Sequence, residues 1–105
     1  MISTAGNIIA LSTLIAAVHC HFMHHDREIE VVVKADDHPL GDRILMTSSA
    51  CPYKLDVGLE GDELVVSVWE DDVRHDQIRI LGEPEERRVL KDTVVNILKG
   101  AITFE

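Results

Sequence analysis

The apolar positions of this chain change period twice, and those changes outline its architecture. Between Thr4 and Met23, Ile8, Leu11, Ile15, Val18 and Phe22 recur at steps of three and four. That spacing predicts one helix with these residues on a common face. Ile9, Leu14 and Ala16 or Ala17 widen the apolar surface, and residues 3–25 contain no Asp, Glu, Lys or Arg. A helix with so little charge is seldom solvated along one side. Its cover is expected to be the rest of the domain or a second copy of the chain, which makes a homodimer a reasonable expectation.

From Arg27 the period becomes two. Ile29, Val31 and Val33 alternate with Glu28, Glu30, Val32 and Lys34, which predicts a strand over Arg27–Lys34 with one buried face. Ala35–Asp42, with its acids, Pro39 and Gly41, reads as a loop. Arg43–Ser48 reads as a second strand. Tyr53–Glu60 and Glu63–Glu70 alternate on either side of Gly61 and form the clearest hairpin. Asp71–Asp76 reads as an acidic turn and Gln77–Leu81 as a short strand.

The helical period returns after Gly82. Pro84 suits a first helical position, Glu85 and Glu86 favour the helix N-terminus, and Gly100 suits its end. Leu90, Val94, Ile97 and Leu98 form the stripe to be buried, flanked by Val89 and Val95. Ala101–Phe104 could add a last short strand. The expectation is a single α+β domain over residues 1–105. It is a two-layer sandwich whose mainly antiparallel sheet of four to six strands carries an N-terminal and a C-terminal helix on one face.

Charge adds a second layer. The 105 residues have a formal net charge of −9. Residues 28–86 hold sixteen acids and five bases, whereas residues 87–105 hold two acids and four bases. A negative field over the strand-rich centre opposes direct contact with nucleic-acid phosphates and anionic membranes. It favours a protein partner with a basic surface. The candidate contact residues are Asp36, Asp37, Glu60, Asp62, Glu63, Glu70, Asp71, Asp72 and Asp76, with Trp69 as an aromatic anchor. A solvated set of hairpin turns is the plainer alternative.

Candidate chemistry is sparse. His19-Cys20-His21-Phe22-Met23-His24-His25 places Cys20 with His24, and His21 with His25, four residues apart on a helix. Such pairs could hold Zn²⁺, although imidazoles at a helix C-terminus are also favoured by the dipole alone. The chain has no phosphate-binding glycine loop, no Gly-x-Ser-x-Gly elbow and no Cys-x-x-Cys. Cys51 beside Pro52 could serve as a nucleophile, but a lone Cys before a strand is usually a small core residue.

The leading expectation is therefore a cytoplasmic, non-enzymatic regulator or inhibitor without a cofactor. Size and charge fit the small acidic proteins with which phages and mobile elements block host nucleic-acid-binding complexes, an analogy of general properties alone. A metal-binding protein using Cys20, His21, His24 and His25 is one alternative. A structural subunit assembling through the first helix is the other.

Overall fold

A computed structural model describes residues 4–38 and 41–104, with the side chains of residues 11–35 and 43–104. The chain runs through helix α1 (Thr4–His24), five strands and helix α2 (Pro84–Leu98). The strands are β1 (Val31–His38), β2 (Gly41–Ser48), β3 (Lys54–Glu60), β4 (Glu63–Glu70) and β5 (Val73–Ile80). They form one antiparallel meander in sequence order. The expected α+β architecture, with a helix at each end of a five-stranded antiparallel sheet, is the one observed.

One sheet face carries Met46, Leu55, Val57, Leu64, Val66 and Val68, all buried. Leu11, Leu14, Val18 and Phe22 of α1 close over it with Leu90, Val94, Ile97 and Leu98 of α2. Burying each of these side chains contributes about 1.5–3 kcal/mol. The inward stripe of α1 thus includes Leu14, with Ile15 packed at its margin; Ile8 and Ile9 lie outside the described side chains. Val95 is buried as a flanking residue of α2, but Val89 is 60% exposed. Among the described residues, no helix is long and apolar enough to cross a membrane.

Three boundaries differ from expectation. The β1–β2 hairpin is longer, with β1 running from Val31 to His38 and β2 starting at Gly41 rather than Arg43, so Asp36, Asp37 and Asp42 lie on strands instead of in a loop. The weak strand preference of Asp yields here to the regular pairing with β2. Likewise β5 starts at Val73, leaving only Asp71 and Asp72 as the turn. Asp71 takes a φ of 53°, a conformation that Asp tolerates better than most residues. Val68 pairs with Asp76 and Trp69 with Arg74, so His75 is the extra residue of a β-bulge.

The third difference is the C-terminal segment. Residues 101–104 form no strand. The Phe104 N–H donates to the Tyr53 hydroxyl at 2.8 Å. The Phe104 ring packs edge-on against Tyr53 and stacks on His75, whose Nε2 lies 2.9 Å from Glu70 Oε1. The tail therefore hooks over the β3 start and the β5 bulge by ring packing rather than by a ladder.

Candidate docking surface

The meander puts the acidic turns at two opposite ends of the sheet. Register pairs Arg43 with Gly58, so the β1–β2 and β3–β4 hairpin tips lie side by side at one end. Residues 36–42 and 60–63 contribute six acids and no Lys or Arg to this end: Asp36, Asp37, Asp42, Glu60, Asp62 and Glu63. Glu70, Asp71 and Asp72 turn at the other end, with Asp76 farther along β5. An eight-residue strand spans about 25 Å, which separates the two groups. The candidate contact residues thus do not make one continuous patch. The double-hairpin end holds Asp36, Asp37, Glu60, Asp62 and Glu63 together.

Why two hairpin tips meet there follows from local sequence. Gly61, at a φ of 61°, occupies the first position of a two-residue turn, where glycine matches the twist of the flanking strands. The turn sets Glu60 directly opposite Glu63. Like charges across an antiparallel pair are destabilising unless a cation intervenes. Arg79 supplies it, with Nη1 2.9 Å from Glu60 Oε2 and 3.7 Å from Glu63 Oε1. Arg43 does the same from β2, with Nη1 3.0 Å from Asp56 Oδ2 and Nη2 3.8 Å from Glu60 Oε1.

This ion-pair lattice lies on the sheet face away from the helices, and Val65 and Ser67 are buried on that same face. Gln77 Nε2 donates a hydrogen bond to the Ser67 hydroxyl at 3.1 Å. Long polar side chains thus shield part of a face that no helix covers. Sequence reading missed the lattice. Its signal was the hairpin register, which forces Glu60 beside Glu63 and demands arginines from the neighbouring strands. Asp62 at the turn has no hydrogen bond or ion pair among the described residues, leaving its charge uncompensated.

Trp69 is half-buried on the lattice face, opposite Lys54 and near the single acidic turn. It stands away from the double-hairpin tips and is not part of their surface.

Cys20, His21, His24 and His25 do line one open cleft of about 450 Å³ where α1 meets α2. Lys91 lines the same cleft, and His21 Nε2 is engaged by Asp26 Oδ2 at 2.9 Å. Among the described residues, no three His, Cys, Asp or Glu side chains converge as a metal-holding group. The Lys91 ammonium beside the cleft works against a cation there, whereas a carboxylate on one imidazole, as on His21, is the partner that metal-ligating histidines usually have. Cys51 packs against the core, its Sγ 3.7 Å from the Tyr53 carbonyl oxygen and 3.5 Å from the Ser48 hydroxyl. The Ser48 hydroxyl also donates to the Leu98 carbonyl, tying β2 to the end of α2. Comparison with protein-family models, curated proteins and solved structures returns no match.

Proposed function

We propose that this chain is a small non-enzymatic binding protein, a regulator or inhibitor that docks a basic surface of a protein partner. The observation that carries the reading is the pairing of two acidic hairpin tips at one end of the sheet. Six acids of the sequence fall on these two hairpins, and although Arg43 and Arg79 pair with Glu60, Glu63 and Asp56, the end keeps an excess of acid. Such a surface steers a cationic partner and fixes its orientation more than it adds contact area. Cys20 and Cys51 are unbridged, which suits a reducing compartment, and the reading places the protein's work in the cytoplasm.

Salt dependence tests the electrostatic basis. A partner is first isolated from the native host with the immobilised chain, identified and purified. Its affinity is then titrated as ionic strength rises from about 0.01 M to about 1 M, which shortens the screening length from about 30 Å to about 3 Å. Binding should weaken by about tenfold or more. An affinity unchanged across that range contradicts the proposal.

A further inference from the structure

We infer that β1 is the homodimerisation edge of the molecule, pairing with β1 of a second copy across a two-fold axis at Val32 to give a ten-stranded sheet. The two outer strands of the meander differ in kind. β5 is interrupted by the His75 bulge and carries Arg74, Asp76 and Arg79. Bulges and charges are ordinary protection for a sheet edge. β1 also carries Lys34, Asp36 and Asp37, but it pairs with β2 through eight regular steps without a bulge, and its first three residues are Val31-Val32-Val33. Val32 and Val33 point to opposite faces and are 37% and 39% exposed. Beside them runs an open groove of about 390 Å³ between α1 and β1, lined by Ile15, His19, Phe22, Met23, Val31 and Val33. Met23 is 58% exposed, and the helix flank bordering the groove has no formal charge.

The occupant is specified by the charge order of the strand. Glu30-Val31-Val32-Val33-Lys34 is self-complementary when read antiparallel about Val32. Val31 then faces Val33 of the second copy, and Lys34 faces its Glu30, twice over. Backbone polarity agrees with this register. The Glu30 N–H donates to the Ser49 hydroxyl at 2.9 Å, and its carbonyl accepts from the Ser49 N–H at 2.9 Å. Glu30, Val32 and Lys34 therefore turn their peptide groups toward β2, and Val31 and Val33 turn theirs to the free edge. In the proposed register Val31 and Val33 are the residues that exchange hydrogen bonds. Their side chains lie on the helix side, where the two grooves join. Lys34 and Glu30 meet on the opposite face. The acidic β1–β2 tip begins at His38, about 20 Å along the strand from the axis, so the two net-negative copies meet away from their densest charge.

Sedimentation equilibrium of the full chain decides the matter. The wild type should be dimeric at micromolar concentration. Lys34→Glu and Glu30→Lys should each raise the dimer dissociation constant by about tenfold or more, since each sets like charges face to face. The double charge swap should return it to within about threefold of wild type, an outcome that a lysine merely guarding the edge would not give. With Cys20 and Cys51 replaced by Ser, Val32→Cys should give a disulfide-linked dimer under mild oxidation. Directly opposed residues of a non-hydrogen-bonded pair lie about 4.5 Å apart, within disulfide range. A wild-type monomer at about 100 µM overturns the inference, since even a weak specific contact would be populated there. So does a dimer that both single variants leave intact. Should the charge variants fail to fold, a folded Val32→Cys chain that forms no inter-chain disulfide overturns it equally.

Discussion

Leu55→Ala should lower the free energy of unfolding by about 2–5 kcal/mol, whereas Leu45→Ala should lower it by about 1 kcal/mol or less. The two leucines face each other's strands within the same sheet, but on opposite sides. Leu55 is fully buried on β3, where it pairs with Met46 and Val68 beneath the helices. Truncation there leaves a cavity that Met46 and Val68, both fully buried, cannot collapse to fill. Leu45 pairs with Asp56 on the lattice face and is only half-buried. Urea unfolding of both variants measures the difference. Equal losses would mean that the face away from the helices is covered by something as dense as a core.

Gly100→Ala should cost about 2 kcal/mol or more, well beyond the usual effect of adding one methyl group at a helix end. Gly100 follows α2 at a φ of 83°. Its N–H donates to the Ile97 carbonyl at 3.1 Å, and the Ala101 N–H donates to the Asn96 carbonyl at 2.9 Å. That pair of bonds closes a Schellman motif, which requires the left-handed conformation. A Cβ at this position would sit 2.7 Å from the Ala50 carbonyl oxygen. Backbone, not a movable side chain, blocks it, so either the α2 end or the β2–β3 connection must shift. Gly61 supplies the control. Its φ is also positive, at 61°, but a Cβ there meets nothing within 4 Å. Gly61→Ala should therefore cost about 1 kcal/mol, the conformational part alone. Thermal unfolding of the two variants should rank Gly100→Ala clearly below Gly61→Ala.

Both helices were legible in the chain because long runs of period 3.6 are hard to mistake, and α2 is bounded by Pro84 and Gly100. The β3–β4 hairpin was legible from its period-two alternation, with Gly61 marking its turn. Strand ends were not. Asp36, Asp37 and Asp76 resemble loop residues one at a time, yet neighbouring strands hold them in the ladder, and local composition contains no record of that pairing. The Ala101–Phe104 run looked like a strand because it is apolar, but the partners of Phe104 are Tyr53 and His75, some thirty to fifty residues earlier. Of the candidate contact surface, the acidic residues were legible and their grouping was not. Only the β1-β2-β3-β4-β5 order separates Glu70, Asp71 and Asp72 from the double-hairpin end. The compensation of Glu60 and Glu63 by Arg43 and Arg79 is likewise a product of register. It leaves Asp62 with its charge free at the β3–β4 tip, and sets Asp36, Asp37 and Asp42 on the neighbouring hairpin.

Charge reversal at one sheet end against the other tests the docking claim most directly. Asp62→Lys with Asp37→Lys alters the double-hairpin end, and Asp71→Lys with Asp72→Lys makes an equal change of charge about 25 Å away. Both double variants should fold, with Asp71→Lys carrying about 1 kcal/mol of conformational cost from its positive φ. With the purified partner at low salt, the first pair should weaken binding by about a hundredfold, and the second by no more than about threefold. Equal losses from the two ends, or a larger loss from Asp71 and Asp72, would contradict the assignment of the docking surface to the paired hairpin tips.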